Sequence, residues 1–387
     1  MLLGGAMLIG QKIIVVGAGI AGLAVARALA LRGAGVTVLE QAPAIAEVGA
    51  GLQVSPNGAA VLRALGLGDA LDAAGLPNRA VVLHNAQGAA LLRMDTSARD
   101  YRLCHRADLI TMLATGAADA GVTLRLGATV RDISPGHITL ATGEVLQAPL
   151  IIGADGVKSQ VRQVLNGRVA PFFTRQVAWR ATIPGDGGAV EAQVFMAPGR
   201  HLVSYPIRHG TLRNIVAVEE RADWAAEGWS HSDDPANLRA AFAGFGGPVP
   251  GWLAQVQQTH LWGLFRHPVA SKMAADGMAL IGDAAHPTLP FLAQGANMAL
   301  EDAWVLTDAL ATQDHPAAAL AAYAATCTPR VTRIVNAANT NARIYHARGL
   351  RRFALHMAFR AANLIAPNLP LSRFDWLYAH DVTRPLR

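Results

Sequence analysis

Cysteine is nearly absent from this chain of 387 residues, which contains only Cys104 and Cys327. The two lie far apart in sequence and form no C-x-x-C pattern. We therefore expect neither a disulfide framework nor a disulfide reductase, which would need a redox pair of cysteines. Both thiols are expected to be buried, in a protein of the reducing cytoplasm. The length is sufficient for a large hydrophobic core without covalent cross-links.

Long apolar runs are also missing. No stretch reaches the roughly 18 uncharged apolar residues of a membrane-spanning helix, and the late run 353–365 is interrupted by His356 and Arg360. The apolar segment 1–10 has no basic region and no small-residue cleavage site, so we interpret it as a short extension. The sequence predicts no membrane span.

Positive charge is abundant but not concentrated. The formal net charge is +6, and nearly all of the 33 basic residues are scattered arginines. Because no basic motif carries interleaved aromatic residues, we expect no nucleic-acid partner; a dispersed positive field instead attracts an anionic substrate and a phosphorylated cofactor. The arginines within 343–352 are interpreted as a solvated helix face or as the contact of a homodimer. The histidines show no ligand spacing, and no metal is expected.

Several catalytic motifs are absent. The chain has no G-x-S-x-G elbow, no G-x-x-x-x-G-K-[ST] loop and no H-E-x-x-H helix, which argues against serine hydrolases, P-loop NTPases and zincins. The glycine clusters 185–188 and 244–247 lack the combined strand-turn-helix context of a dinucleotide-binding unit, and Pro248 and Pro250 disfavour a helix start after the second. A second dinucleotide-binding domain is therefore not expected.

One dinucleotide-binding unit is present near the N-terminus. The apolar run 13–16 precedes a G-x-G-x-x-G turn formed by Gly17, Gly19 and Gly22, and a helical pattern follows. The glycines allow a sharp turn and close approach of a pyrophosphate, whose charge meets the helix N-terminus. Glu40 follows the second predicted strand, about 20 residues beyond the turn, where an acid binds ribose hydroxyls and repels a 2′-phosphate. The pattern favours FAD or NAD over NADP.

The rest of the chain predicts an α/β fold with an α+β insert. We expect a helix over 57–71 that ends near Gly66 and Gly68, and another over 107–120. Strands over 122–126 and 128–133 and a hairpin around 141–143 follow, then alternating strands that proline residues divide and a mostly helical end. The alternating strands are 176–182, 191–196, 201–205 and 214–218, divided by Pro184, Pro198 and Pro206; a buried strand 278–281, a helix 296–311 and helices through 316–365 follow.

This pattern predicts three structural parts. A Rossmann-like cofactor domain comprises 7–171 and 271–345. An inserted antiparallel-sheet substrate domain comprises 172–270, together with 76–103. The remaining residues, 346–387, form a C-terminal helical segment.

Two further turns follow predicted strands. The first contains Asp155 and Gly156, and the second is Gly282-Asp283-Ala284-Ala285-His286-Pro287. Each has an ordinary alternative, because Asp-Gly is a common turn and an aspartate often caps a helix. Three turns of this kind, each after an apolar strand, indicate an ordered set.

With these three motifs, the chain resembles the single-component FAD-dependent aromatic hydroxylases, the family that includes p-hydroxybenzoate hydroxylase. In segments 47–53, 105–109 and 293–297 it looks most like the branch of salicylate hydroxylases, 3-hydroxybenzoate 6-hydroxylases and 6-hydroxynicotinate 3-monooxygenases. The resemblance implies a tightly bound, non-covalent FAD, with NADH or NADPH as a visiting co-substrate.

The resemblance also implies residue roles at the cofactor. Glu40 would hold the adenosine ribose, Val130 would offer its backbone to adenine, and Arg106 and Asp283 would hold the ribityl and phosphate portion. Asp155 and Gly156 would serve both FAD and the nicotinamide donor. Three further assignments complete the set: Gln53, Pro287 against the flavin ring, and a helix N-terminus at Gly295, Ala296 and Asn297 that would face the negative charge of the reduced flavin.

The expected chemistry is hydroxylation of an electron-rich ring. In this hypothesis NAD(P)H reduces FAD, O₂ adds to give a C4a-hydroperoxyflavin, and the peroxide transfers OH to a phenolic aromatic acid of the hydroxybenzoate, salicylate or hydroxynicotinate type. Such a reaction needs a base beside the phenol and a dry pocket. Two alternatives stay open: an FAD monooxygenase or epoxidase acting on a purine, polyketide or alkene, and a flavoprotein without oxygenase activity.

His201 and Tyr205 are the candidate catalytic side chains. They are four residues apart and share one face of a strand, and the resemblance maps a catalytic His and Tyr onto them. From the residues alone, a strand histidine is more often structural. Gln294 either contacts the substrate or flavin edge or caps a turn, and His286 is expected to pack beside the flavin. A substrate carboxylate would bind an arginine, for which Arg180, Arg208 and Arg213 remain open.

Overall fold

The computed structural model describes residues 8–45, 51–223 and 231–384. Four parts of the sequence-based predictions lie outside these residues: positions 47–50 of the segment that ends at Gln53, residues 7 and 46–50 of the predicted cofactor domain, residues 224–230 of the predicted substrate domain, and residues 385–387 of the C-terminal segment.

Helices are interspersed among short strands in the first half of the chain, and longer strands predominate in the middle. The described strands are β1 Lys12–Val16, β2 Gly35–Leu39, β3 Gly51–Val54, β4 Leu76–Pro77, β5 Ala80–Asn85, β6 Ala90–Asp95, β7 Arg102–His105, β8 Thr123–Arg125, β9 Val130–Ser134, β10 His137–Leu140, β11 Val145–Gln147, β12 Leu150–Gly153, β13 Phe172–Pro184, β14 Glu191–Ala197, β15 Arg200–Ile207, β16 Leu212–Glu220, β17 His231–Asp233, β18 Thr259–Arg266, β19 Ala274–Ala275 and β20 Met278–Leu280.

The longest helices lie toward the C-terminus. The described helices are α1 Ile20–Ala30, α2 Pro56–Ala64, α3 Gly68–Ala74, α4 Arg106–Asp119, α5 Gln160–Asn166, α6 Pro235–Ala241, α7 Val249–Ala254, α8 Gly295–Thr312, α9 Pro316–Tyr345, α10 Gly349–Ile365, α11 Leu369–Ser372 and α12 Asp375–Tyr378. Among the described residues, none of the helices is long and apolar enough to cross a membrane.

A six-stranded sheet carries the predicted dinucleotide-binding unit. Its order is β19-β20-β12-β1-β2-β8, and all neighbours except β19 and β20 are parallel. In β1 every residue after Lys12 is buried, as expected of a central parallel strand covered on both faces. Because the strands are parallel, the turns that follow β1, β2, β12 and β20 all lie at one edge of the sheet, where ligands bind in open α/β sheets.

An eight-stranded, mostly antiparallel sheet forms the second layer. Its order is β17-β18-β13-β16-β15-β14-β5-β6, and β5 joins it by parallel pairing with β14. Segment 80–95 therefore lies in the same sheet as 172–266. The predicted α/β class with an antiparallel insert is confirmed, whereas the domain boundaries stay a prediction.

The two faces of this sheet differ in what they contact. On β13, Val177 and Trp179 belong to a hydrophobic core with α6 and α7, whereas Ala178 faces the other side, among residues that include Trp262 and Phe291. Successive side chains of a strand point to opposite faces, so Arg180 shares the face of Ala178. That second face looks toward the cofactor sheet and α9.

Two predicted elements differ from the structure. The helix expected over 57–71 is two helices, because Gly66 adopts φ +73° between them, a conformation that ends a helix. Pro206 was expected to separate strands but lies inside β15. Pairing of β15 with β14 ends at Ser204, so Pro206 occupies a position where the missing N–H removes no bond to that neighbour.

Candidate active site

The glycine-rich turn after β1 has the geometry that its sequence predicts. Gly17 adopts φ +102°, and a Cβ there would lie 2.5 Å from the carbonyl oxygen of Ala154. A Cβ on Gly22 would collide with the carbonyl of Gly17. At Gly19 a Cβ would meet no protein atom within 4 Å, because this glycine faces the open cavity. The backbone geometry of the turn thus requires Gly17 and Gly22. Gly19 leaves open the space through which a cofactor approaches the turn.

Glu40 lies at the end of β2, beside this turn. Its carboxylate accepts hydrogen bonds from the backbone N–H groups of Ala18 at 2.8 Å and Ala42 at 2.9 Å. Glu40 also lines a cavity of about 200 Å³ with Gly17, Gly19 and Val130. The side chain therefore both holds the turn in place and faces the cavity where we predict the adenosine to bind.

Asp155 lies on the opposite side of the same cavity. Its Oδ2 accepts a hydrogen bond from the backbone N–H of Gln160 at 2.7 Å, at the start of α5. Burial raises the pKa of the Asp155 carboxyl above its usual value. The side chain of Gln160 donates to the carbonyl of Val130 at 3.0 Å, so that carbonyl already has a partner. The predicted contact of Val130 with adenine remains a prediction.

A second, larger cavity of about 290 Å³ continues from the first, because Gly19 and Ala154 line both. Gly156, Arg106 and Asp283 line this part. Together the cavities cross the edge of the parallel sheet from Glu40 to Asp283. An elongated dinucleotide fits this arrangement, with its pyrophosphate near Gly19 at the N-terminus of α1. Gly19 and Gly156, which have no Cβ atoms, line the cavity between these two carboxylates and leave room for a cofactor. The residues present therefore fit FAD.

The turn after β20 is held by a buried ion pair. His286 Nε2 lies 2.5 Å from Asp302 Oδ2, which also accepts from the N–H of Gly282 at 2.9 Å. Although burial opposes the charged imidazolium, the Asp302 carboxylate raises the pKa of His286. His286 thus fixes turn geometry. Asp283 is exposed to the cavity. Desolvation by the surrounding protein raises the pKa of its carboxyl, and the positive charges of His286, Arg106 and Arg180 partly offset this rise.

The flavin-facing helix α8 begins as predicted. Gly295 and Ala296 line the larger cavity, and the first N–H groups of a helix have no partner within it. The side chain of Asn297 is buried and points elsewhere, donating to the carbonyls of Gln53 at 3.1 Å and Ala293 at 2.7 Å. Only the backbone of Asn297 is therefore available for the predicted cofactor contact.

The Gln294 side chain belongs to a buried network, and its contact with substrate or flavin, like that of Pro287 with the flavin ring, remains a prediction. The Gln294 amide is buried, donates to Ser55 Oγ at 2.9 Å and accepts from Asn57 Nδ2 at 3.1 Å. Neither Gln294 nor Pro287 is among the residues that line the larger cavity, whereas Pro290 is. A network beneath α8 uses the amide of Gln294, which explains why its side chain does not line the cavity.

His201 and Tyr205 both line the larger cavity, at the end away from Glu40. Their shared strand face follows from their spacing. Burial lowers the pKa of His201 well below its usual value, and the nearby His346 lowers it further. Burial also raises the pKa of Tyr205 well above the usual value of a tyrosine. At neutral pH the imidazole of His201 and the phenol of Tyr205 are therefore both neutral.

Gln53, on β3, lies at this end of the cavity. Its Oε1 accepts from the Tyr101 hydroxyl at 2.6 Å, and Gln53 and Tyr205 both line the cavity. The neighbouring Gly51 is packed so closely that a Cβ would lie 2.6 Å from the Tyr205 ring. This close approach places β3 directly against β15.

The structure separates the three candidate arginines. Arg180 lines the cavity, and its guanidinium carbon lies 4.5 Å from the centre of the Trp262 ring. Arg208 pairs with Asp108 at 2.7 Å, and the buried Arg213 pairs with Asp186 at 2.7 Å on the other face of the sheet. Selecting Arg180 from the sequence would have required the register of β13 with β16 and β18, which the sequence does not supply.

Sequence reasoning missed two residues of the site. His346 contacts His201, and Glu220 contacts His346. They are 145 and 126 positions from those partners, and no local motif marks them. The apolar walls formed by Trp262, Leu264 and Leu289 were also not identified. Among the described residues, no group of three His, Cys, Asp or Glu is arranged to hold a metal ion.

Comparison with known proteins agrees with this geometry. Residues 11–338 match the family described as FAD binding domain. The chain is 36% identical over 340 residues to the 3-amino-4-hydroxybenzoate 2-monooxygenase PtnB3 of Streptomyces platensis, covering 84% of this chain and 85% of the relative. It is 33% identical to the 3-hydroxybenzoate 6-hydroxylase of Klebsiella oxytoca, covering 95% and 96%.

A similar solved structure is that of Klebsiella pneumoniae HpxO with FAD and uric acid. The TM-score is 0.78 at 25% identity, covering 91% of this chain and 93% of that one. The fold, the cavities at the sheet edge and the relatives all lead to the same assignment. The chain belongs to the FAD-binding family of aromatic hydroxylases and is an FAD-dependent monooxygenase that uses NAD(P)H.

Proposed function

We propose that this protein hydroxylates the ring of a phenolic aromatic acid of the hydroxybenzoate, salicylate or hydroxynicotinate type. The observation that carries the proposal is the composition of the cavity beyond the flavin position. It combines apolar walls, a neutral histidine and an arginine. These features match the ring, the hydroxyl and the carboxylate of one small molecule. The relatives named for hydroxybenzoates support the same class.

Each part of the substrate has a matching group. Arg180 would bind the carboxylate, held against the Trp262 ring at 4.5 Å. His201 would accept the phenol proton, because a ring that carries phenolate is richer in electrons. Tyr205 would orient the hydroxyl through a hydrogen bond. The apolar walls exclude water, which protects the reaction and strengthens these electrostatic contacts.

The cofactor assignments give the remaining roles. Bound FAD would accept a hydride from NAD(P)H and would then activate O₂. This chain's Glu40 and Gly19 would hold the adenosine and pyrophosphate, and Arg106 and Asp283 the ribityl portion. The N-terminus of α8 at Gly295 and Ala296 would face the isoalloxazine edge and stabilise negative charge there.

A panel of compounds tests the proposal. We expect NADH or NADPH and O₂ to be consumed with a hydroxylated product when a hydroxybenzoate, salicylate or hydroxynicotinate is present. The matched controls are benzoate, which lacks the phenol, and phenol, which lacks the carboxylate; both should give little product. If every phenolic acid gave only hydrogen peroxide, the proposed substrate class would be wrong. The ratio of kcat/KM for the two nucleotides identifies the electron donor.

A purine is the second candidate substrate, because the HpxO structure contains uric acid beside FAD. Uric acid is an electron-rich anion and would also suit a cavity with Arg180. Its inclusion in the same panel separates the two candidates. Preferential product formation from uric acid would replace the phenolic acid.

We also propose a cytoplasmic homodimer. The location is supported by two free, buried cysteines. Association is supported by α10, where Leu350, Phe353 and Leu364 are exposed. Sedimentation should give twice the mass of the monomer. The double variant Phe353→Ser and Leu364→Ser should lower the sedimenting mass toward that of the monomer. A monomer at all concentrations would contradict association.

A further inference from the structure

A chain of hydrogen bonds leads from the cavity to the protein surface. His201 is buried and lines the cavity, and its Nδ1 lies 2.7 Å from His346 Nε2. His346 is buried as well, and its Nδ1 lies 2.9 Å from Glu220 Oε1. The Glu220 side chain is 40% exposed, and its Oε2 accepts from Arg348 at 2.7 Å. The three groups form a continuous path from substrate space to solvent.

The carboxylate at the outer end determines where the protons lie. A carboxylate only accepts hydrogen bonds, so His346 must donate from Nδ1. A neutral imidazole has one N–H, which leaves His346 Nε2 as an acceptor. His201 must then donate from Nδ1, and its Nε2 carries the lone pair. The outer carboxylate therefore sets the inner histidine in the form that accepts a proton.

We propose that His201, His346 and Glu220 form a relay that carries the phenol proton of the substrate to bulk water. This proposal rests on the proposed function, because it needs His201 as the proton acceptor. It assigns roles to His346 and Glu220 that neither motif nor spacing indicates. Both act through His201 and are positioning residues of the reaction.

The transfer balances at each step. The phenol O–H bond breaks and its proton binds His201 Nε2, while the Nδ1 proton of His201 moves to His346 Nε2. The Nδ1 proton of His346 moves to Glu220, which releases it to water. The products are a phenolate in the cavity and one proton in solution. Return of a proton along the path restores the starting tautomers.

Backbone hydrogen bonds and aromatic rings hold the three groups of the path in place. The backbone N–H of Glu220 donates to the carbonyl of Gly199 at 2.9 Å, and the N–H of Gly199 donates to the carbonyl of His346 at 3.3 Å. The ring of Phe291 packs edge-on against His201 at 5.0 Å, and Tyr345 lies 5.2 Å away. Burial raises the pKa of Tyr345 to about 12, so this neighbour stays neutral.

The pKa shifts of the groups along the path disfavour a lasting positive charge on either histidine. Burial lowers the pKa of His346, although its hydrogen bond to Glu220 partly opposes this. Burial would raise the pKa of Glu220, but the hydrogen bonds from Arg348 and His346 hold it below its usual value. A buried imidazolium is thus disfavoured at both histidines, and the ionised acceptor lies at the surface.

The test measures proton transfer directly in the FAD-loaded enzyme. Stopped-flow mixing with 3-hydroxybenzoate, or with the panel compound that is hydroxylated best, would follow phenolate absorbance and dye-detected proton release. We expect Glu220→Gln and His346→Gln to slow both signals by about tenfold or more, since a positioned proton acceptor contributes on the order of 10²–10⁴. They should lower kcat with little change in KM, and Glu220→Asp should recover much of the rate.

Glu219→Gln is the matched control. Glu219 precedes Glu220 on β16 and pairs with Arg200 at 2.7 Å, not with His346. Its rate should stay within about twofold of the parent, well below the effects expected for a relay group. Equal rates for the parent, Glu220→Gln and His346→Gln would overturn the relay.

His201→Asn separates the relay from the proposed function. If His201→Asn slows phenolate formation while Glu220→Gln and His346→Gln do not, the base is correct and the relay is wrong. If His201→Asn has no effect, the assignment of the base fails, and the relay fails with it. Should His346→Gln not fold, the exposed Glu220→Gln decides the question alone.

Discussion

The two ends of the cavity are constructed differently. The nucleotide end consists of backbone turns and carboxylates at the carboxyl ends of parallel strands, with Gly17, Gly19, Glu40 and Asp155 at its centre. The ring end consists of buried side chains from the antiparallel sheet, together with the start of α8. The first presents N–H groups and a helix dipole to a fixed anion. The second presents side chains to a ring that must ionise and react.

This difference separates binding from chemistry. Changes at the nucleotide end should release FAD, whereas changes at the ring end should leave FAD bound and slow hydroxylation. A residue that affects both equally would argue against the division.

Replacing His201 by Ala should have the largest effect. Loss of a general base lowers the rate by on the order of 10²–10⁴, and the ring of His201 contributes nothing to the nucleotide end. Product formation should fall by that factor, while the flavin spectrum and FAD content of the purified protein stay unchanged. Parental turnover would remove His201 from the mechanism; loss of FAD would break the division between the two ends.

The pair Gly17→Ala and Gly19→Ala sharpens the role of the turn. At Gly17 a Cβ meets both a positive φ and the Ala154 carbonyl, so the apoprotein should lose about 1–3 kcal/mol of unfolding free energy and FAD affinity should fall. At Gly19 a Cβ enters only cofactor space. The Gly19→Ala variant should therefore keep nearly the urea midpoint of the parent, although its FAD affinity should also fall. Fluorescence titration with FAD measures both affinities.

Arg180→Gln tests recognition of the carboxylate. A hydrogen bond to a charged group contributes about 1.5–3 kcal/mol, or roughly ten- to hundredfold in affinity. KM for the aromatic acid should rise by that factor, with FAD retained. Arg208→Gln, which changes an exposed arginine paired with Asp108, is the control and should leave KM unaltered. The same KM in both variants would exclude Arg180 as the carboxylate ligand.

The smallest predicted effect concerns stability of the antiparallel sheet. Burial alone would raise the pKa of Asp186, but hydrogen bonds from Arg213, Gly188 and Trp252 lower it to about 2. A depressed pKa means that stabilisation is complete above the ordinary value of 3.8 and is lost as pH falls through about 2. Because Asp186 is one-third exposed, we expect only about 1 kcal/mol.

The variant Asp186→Asn isolates this contribution. Its unfolding free energy should be lower than that of the parent near pH 6, and the two should converge near pH 2 as the parent carboxylate becomes neutral. Urea titrations at several pH values provide the comparison. A difference that does not change with pH would mean that the ion pair is not its source.

The nucleotide end was largely predictable because its signals are local. A strand, three glycines at fixed offsets, a helix and Glu40 define the unit within one short segment, and the structure places them together. The helix predicted over 57–71 ends near Gly66, as that glycine indicated, because Gly66 adopts a left-handed conformation. The sequence did not indicate the second helix, α3, that begins at Gly68.

The ring end was only partly predictable because its contacts are long-range. His201 and Tyr205 shared a strand face by spacing, but the choice of Arg180 required the register of β13 with its neighbours. Nothing near His346 in sequence indicates that the chain returns there to meet His201, 145 positions away. The network that uses the Gln294 amide likewise joins segments that no periodicity connects.

The most direct test of the central claim is the source of the oxygen in the product. Turnover of the preferred phenolic acid with NAD(P)H under ¹⁸O₂ should give a hydroxylated acid that contains one labelled oxygen atom by mass spectrometry. Turnover in H₂¹⁸O under unlabelled O₂ should give no label in the new hydroxyl. Oxygen derived from water, or no hydroxylated product from any phenolic acid, would contradict the assignment of this cavity as the site of aromatic hydroxylation.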